Sequence, residues 1–342
     1  LGSLMSPGPR KASVRAQPAL SSPRKIRTVA ILRVIFTLAF GLALAPMASA
    51  APLQQPQTQK SQPPPITPEY RTLRIPATTV SIELVRCPPG VDRRSGEPIP
   101  ELWVLKTEVP WELYDIFLYG LDKPEAMRDA GHDPDDADAP DAISRPSKPY
   151  VPPDRGFGHT GYPAMGMTRA GAEGFCLWLS EALGVHFRLP TEAEFIHLAS
   201  AGTGEAYPPG VDLDNLSEHA WTASNAGFTT HPVATRTPSA FGLHDMLGNV
   251  AEWVMTDGRR PVAMGGAYLD APEDCAATAT RRQDSSWNAS DPQIPKSAWW
   301  LADCSWVGFR VVTEMDLRKP PAEPTPTPKA PTPNAPTRKA PK

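Results

Sequence analysis

The sequence predicts one α+β domain of low regular secondary-structure content, and three observations carry that prediction. Strand-like alternation opens the folded region at Tyr70 to Arg86, and a second strand-like run follows at Glu101 to Lys106. Segments with helical spacing or strong caps begin near Pro110, Thr168 and Thr191. From Gly202 onward the chain reads as loops and short strands with little regular periodicity.

Each element has a local reason. Val80, Ile82 and Leu84 alternate with polar residues, as on a half-buried strand. Pro110 suits a first helical turn, and Trp111, Leu113, Tyr114, Phe117 and Leu118 follow at helical spacing. Thr168 is a good N-cap, Ala172, Phe175, Cys176 and Leu179 form one apolar face, and Gly184 ends that helix. Thr191 with Glu194 three residues later makes a capping box for the next helix.

Outside residues 69–316 the composition changes. Arg24, Lys25, Arg27 and Arg33 precede the apolar run Val34 to Ala45, and Ala48-Ser49-Ala50 offers a small-residue cleavage site. Residues 1–50 therefore read as a secretory signal peptide with a long charged region, which predicts a periplasmic or extracellular protein. Membrane attachment is expected only if that signal stays uncleaved. A Gln/Pro-rich linker (51–68) follows, and a Pro-rich tail (317–342) too poor in apolar residues to build a core closes the chain. An acid run from Asp129 to Asp141 lacks the glycine and closing glutamate of an EF-hand and reads as a solvated insertion. The formal charge of -3 and pI near 6.2 give no sign of a nucleic-acid partner, and the domain is expected to be a monomer. The seven histidines form no HExxH motif, and no nucleophile elbow, P-loop or dinucleotide fingerprint is present.

The densest chemistry lies in GLHDMLGNVAEW, Gly242 to Trp253. Asp245, Glu252 and the Asn249 amide supply oxygens within one short loop, and Gly248 can expose its carbonyl at a tight turn. Hard cations such as calcium favour such oxygen sets. The alternative is a Gly-Asn turn with a solvated Glu252.

Four blocks in this order, GFCLWLSEALGVHFRLPTEAEFIHLASAG (174–202), GNVAEW (248–253), PVAMGGAYLD (261–270) and VGFRVV (307–312), resemble the sulfatase-modifying-factor domain. That is the family of the formylglycine-generating enzyme, and the resemblance runs from about Tyr70 to Glu314. It implies that family's α+β fold, often likened to C-type lectins. It also implies a structural calcium held by Asp245, the carbonyls of Gly248 and Val250, and Glu252. The enzyme itself is a copper-dependent oxidase whose metal is held by two cysteines after the GG turn. Here the first of those positions is Asp270 and the second is Cys275. Cu(I) favours thiolates and a carboxylate is a hard ligand, so this pair would hold copper poorly. The resemblance further implies a substrate groove near Gly265, Gly266, Tyr268, Arg281 or Arg282, and Arg310. For Arg310 the alternative is a buried ion pair that locks the last strand. Trp287, Trp299, Trp300 and Trp306 are either an aromatic groove for peptide or sugar, or core packing.

An exported chain is free to form disulfides. Four cysteines allow three pairings, which sequence cannot choose between. Cys275 and Cys304 flank the Trp-rich insertion and are the expected bridge, with Cys176 a buried structural thiol. Three functions remain open. The first is a calcium-stabilised scaffold that binds a peptide, glycan or small molecule. The second is an oxygen-dependent formylglycine-forming oxidase using Cys275. The third is a divergent enzyme acting on a small metabolite with a metal near Asp270.

Overall fold

Strands from both ends of the folded region meet in one sheet. The computed structural model describes residues 67–123, 146, 152–256, 258 and 260–318, all within the unit Gln62–Lys342. The proposed signal segment, the acid run 129–141 and the linker up to residue 66 lie outside the described residues, as does the tail beyond residue 318. Among the described residues, no helix is long and apolar enough to cross a membrane.

The first sheet has the order β1 (Glu69–Arg74), β2 (Ser81–Cys87), β5 (Leu102–Leu105), β10 (Val312–Thr313), and its pairs are all antiparallel. The alternation across 70–86 is thus two strands, with Leu73 opposite Ile82 and a turn at 75–80 between them. A small hairpin, β3 (Gly90–Val91) with β4 (Pro98–Ile99), follows. The second sheet has the order β8 (Thr280–Arg282), β7 (Val262–Met264), β6 (Ala251–Val254), β9 (Val307–Gly308), in which β6 and β9 run parallel.

Three α-helices lie among the described residues, and their ends match their caps. α1 (Trp111–Tyr119) starts after Pro110 and stops at Gly120, which is left-handed at φ 62°. In α2 (Arg169–Leu183) the Thr168 hydroxyl accepts from the Gly171 N–H at 3.0 Å, and left-handed Gly184 ends the helix. The capping box of α3 (Glu192–Ala199) closes in both directions: Thr191 Oγ1 accepts from Glu194 N–H and Glu194 Oε2 from Thr191 N–H. Arg188 grips the same Glu194 carboxylate with two bonds of 2.7 Å.

Both faces of the central strands are buried, so alternation here sorts residues between two cores rather than between core and solvent. Ile82, Leu84, Trp103, Leu105 and Trp253 enter a larger core that packs α1 and α2 around Trp111, Tyr114, Phe117, Phe175 and Phe309. Val85, Cys87, Leu102, Val104 and Val254 enter a second core with Phe195, Leu198, Met264 and Cys275. The tryptophans of the insertion serve the larger core. Trp287 is buried against Trp253 and Trp306, and Trp299 packs where Gly174 leaves room beside α2.

Candidate functional site

Pairing of β10 with β5 brings Arg310, two residues before β10, against the end of β5. Its side chain is fully buried. Nε donates to Glu252 Oε2 at 2.7 Å and Nη2 to Glu252 Oε1 at 2.6 Å. The remaining donors reach the carbonyls of Leu105 (3.1 Å) and His244 (2.9 Å). Glu252 is fixed in turn by β6, opposite Met264 on one side and Gly308 on the other.

Asp245 lies close by in the GLHDMLGNVAEW loop, left-handed at φ 55°. Its Oδ2 accepts from the Ala234 N–H at 2.7 Å, while Oδ1 is buried without a hydrogen-bond partner. Burial first, and then the charge on Glu252, push the Asp245 carboxyl up to about 6 against the pull of the Ala234 N–H and Arg310. Gly248 lets the loop lie on Trp221: a Cβ there would collide with the Trp221 carbonyl oxygen. Asn249 ties the loop to its neighbours. Its Oδ1 accepts from His231 N–H (3.0 Å), its Nδ2 donates to His231 O (3.2 Å), and its carbonyl accepts from Tyr268 N–H. The Asn249 amide is therefore a connector between the loop and the His231 segment.

Sequence reasoning missed one member of this group. Glu108, just before α1, is fully buried, and neither carboxylate oxygen has a hydrogen-bond partner. Burial raises it well above the ordinary carboxylate range, and the charges on Asp245 and Glu252 raise it further. Three buried carboxylates thus face a single guanidinium. An uncompensated buried carboxylate costs several kcal/mol, so this cluster calls for protons or a further cation.

The GG turn forms the second half of the site. Gly265 and Gly266 are left-handed at φ 90° and 76°, and a Cβ on Gly266 would meet Cys275 Cα and Sγ at 2.8 Å. The turn can therefore press the end of β7 directly onto Cys275. Asp270 Oδ2 accepts from the Ala267 N–H at 2.9 Å, and Oδ1 pairs with Arg281 Nη2 at 2.5 Å. The Arg281 guanidinium lies over the Trp306 ring, 4.3 Å from its centroid. Cys275 is buried beneath them and directs its thiol toward the Ala267 carbonyl at 3.6 Å. Burial, and next the charge of Asp270, push that thiol up to about 12.

These positions decide how the predicted residues can act. Asp270, Cys275, Tyr268 and Arg281 come together around the GG turn. Tyr268 is buried, with its hydroxyl 3.0 Å from Ser305 Oγ and its ring edge-on to Phe157. Arg281 keeps 41% of its side chain exposed and can meet a ligand. Arg310 lies inside the fold, so its buried ion pair with Glu252 takes the place of the ligand contact envisaged for it. The Cys275–Cys304 bridge is also corrected: all four cysteines are free and buried. Cys275 packs in the second core and Cys304 in the larger one, so the two thiols belong to separate packing environments.

Two metals were implied, and the donor sets treat them differently. At the GG turn a paired carboxylate and a buried, protonated thiol do not fit a two-thiolate copper centre. In the acid cluster one oxygen suited to a hard cation is free, the buried and unpartnered Asp245 Oδ1, while both Glu252 oxygens accept from Arg310. Among the described residues, no three His, Cys, Asp or Glu side chains converge as a metal-binding group. A calcium ion would therefore need the Gly248 and Val250 carbonyls beside Asp245 and Glu252. It would also share the Glu252 carboxylate with Arg310.

A family model for the sulfatase-modifying factor enzyme 1-like domain matches residues 100–315. The serine/threonine-protein kinase pkn1 of Chlamydia pneumoniae is 35% identical over 97 residues, 28% of this chain and 14% of that protein. The formylglycine-generating enzyme of Mus musculus is 26% identical over 170 residues, 39% of this chain and 44% of the enzyme. The corresponding enzyme of Mycobacterium tuberculosis is 32% identical over 108 residues, covering 28% and 34% of the two chains. The matches thus span less than half the length of these relatives. Treponema denticola variable protein 1 is similar in structure, with a TM-score of 0.48 and 21% identity, covering 73% of this chain and all of that one. PvdO from Pseudomonas aeruginosa has the same TM-score with 19% identity, covering 72% of this chain and 98% of that one.

Proposed function

The chain belongs to the sulfatase-modifying factor enzyme 1-like domain family, and within it we propose an exported, calcium-stabilised scaffold that binds a peptide, glycan or small molecule. The observation that carries this reading is Asp270. At the position of the first copper-binding cysteine, it holds Arg281 in an ion pair and leaves Cys275 as a lone, protonated thiol. Oxidase chemistry of the formylglycine type needs a soft-metal thiolate pair, and this turn supplies a hard carboxylate and a guanidinium instead.

Arg281 is the residue we assign to ligand contact. One nitrogen is held by Asp270 and the guanidinium face rests on Trp306, which leaves exposed N–H groups that suit an anionic or polar group. Asp245 and Glu252, with the carbonyls of Gly248 and Val250, would hold calcium. That ion would neutralise the acid cluster and fix the loop leading into β6. Export is inferred from the charged segment, the apolar run Val34 to Ala45 and the Ala48-Ser49-Ala50 site.

The test is a pair of assays on the purified protein. Incubation with Cu(I), oxygen and a Cys-x-Pro-x-Arg peptide should give no oxygen uptake and no aldehyde. Thermal shift against peptide and glycan panels should reveal ligands that raise the melting temperature and that Arg281→Ala abolishes. Peptide oxidation that depends on Cys275 would overturn the reading.

A further inference from the structure

His159 faces a carboxylate from each side. Nε2 lies 2.8 Å from Asp115 Oδ2 on α1, and Nδ1 lies 3.2 Å from Asp154 Oδ2. Ionised carboxylates only accept, so both ring nitrogens must donate, and only the imidazolium can do that. The ring also lies flat on Trp111, with centroids 5.4 Å apart and planes inclined by 12°. The loop that carries it bends sharply, with Arg155, Gly156, Gly158 and Gly161 all at positive φ. Elsewhere the loop is held by Gly161 N–H to Glu112 Oε2 and Arg155 Nη2 to the Ala302 carbonyl, and at its far end by Trp111 N–H to the Tyr162 carbonyl and Val233 N–H to the Gly161 carbonyl. Phe157 from this loop meets the ring of Tyr268 at 5.7 Å, beside the GG turn.

We propose that His159 is a pH-dependent clamp that holds the loop 154–163, and with it Phe157, against α1 and the flank of the ligand site. The charged groups around the ring are Asp115, with Glu112 behind it, from α1, and Asp154 from the loop itself. Tyr119 lies further along α1, and Arg155 is turned away to Ala302. Partial burial opposes the charged ring, but the bonds and charges of Asp115 and Asp154 outweigh it and raise the imidazole above its ordinary value. A raised histidine stabilises the folded arrangement in full below its unfolded pKa and loses that contribution as pH rises through the folded value. Burial holds Asp115 above the usual carboxylate range despite the bond and charge of His159. The clamp therefore closes in mildly acid solution and slackens in alkaline solution. Its effect on ligand access rests on the binding reading above; the clamp itself does not.

Amide hydrogen exchange on the full chain tests it, at about pH 6 and about pH 8.5 after correction for intrinsic rates. Amides of 154–163 should exchange roughly threefold faster at the higher pH, the size expected for a partly exposed ion pair. Those of α2 should not change. His159→Gln should abolish the difference while α2 keeps its protection, which shows that the variant is folded. Equal protection of the loop at both pH values in the unmodified protein, or a pH dependence that survives His159→Gln, would overturn the clamp. No ligand enters the measurement, so its failure is distinct from failure of the binding reading, which the thermal-shift panels address.

Discussion

Two carboxylate–arginine pairs flank the candidate site, and their surroundings separate them. Glu252 and Arg310 expose 1% and 0% of their side chains, while Asp270 and Arg281 expose 11% and 41%. The first pair sits at the junction of both sheets, where Arg310 also holds carbonyls of Leu105 and His244. The second lies on a turn, with one side of its arginine open to solvent. Breaking a wholly buried pair by removing one partner leaves an uncompensated charge, at a cost of about 3–5 kcal/mol. An exposed pair is screened by water and contributes about 1 kcal/mol or less. The same chemistry therefore builds the framework in one place and leaves an adjustable contact in the other.

The largest effect should come from Arg310→Met. It strips the single guanidinium from Glu108, Asp245 and Glu252, so urea unfolding should show a loss of about 3–5 kcal/mol, or no folded protein at all. A loss under about 1 kcal/mol would make the two pairs equivalent and break the comparison. The thiols come next. With Cys275 and Cys304 each pushed up to about 12 by burial, native labelling near neutral pH should run on the order of a thousandfold slower than for a free thiol. All four cysteines should label once the protein is unfolded. Rapid native labelling of Cys275 would place the GG turn in a far more open environment.

Gly248→Ala should cost about 1–3 kcal/mol, since φ is 76° and the added methyl would meet the Trp221 carbonyl. Thermal melts would record this, and a neutral result would mean that the acid loop does not rest on Trp221. The smallest effect belongs to Asp270→Asn, which should change stability by about 1 kcal/mol or less because Arg281 can turn to solvent. A larger loss in urea would move Asp270 from the adjustable contact to the framework.

Sequence made the helices legible and the buried charge cluster only in part. Thr168, Gly184, Thr191 and Glu194 act within a few residues of themselves, so local chemistry specified the ends of α2 and the start of α3. In sequence the β1–β2 hairpin looks like one alternating run, because alternation continues on either side of its turn. Asp245 and Glu252 drew attention through their crowding in one loop. Glu108 did not, since its neighbours Asp245, Glu252 and Arg310 are far away in sequence and pairing of β5 with β10 brings them near. The insertion suggested a disulfide by proximity in sequence, but packing assigned its cysteines to different cores. His159 carried no motif at all, and its two carboxylate partners come from α1 and from its own loop.

Metal analysis of the purified protein, with thiols counted before and after unfolding, tests the central claim most directly. Calcium should be found at about one equivalent and be lost on Asp245→Asn, together with no copper and thiols that titrate only after unfolding. Copper at about one equivalent, lost on Cys275→Ser, would contradict the scaffold reading and restore a catalytic metal to the GG turn.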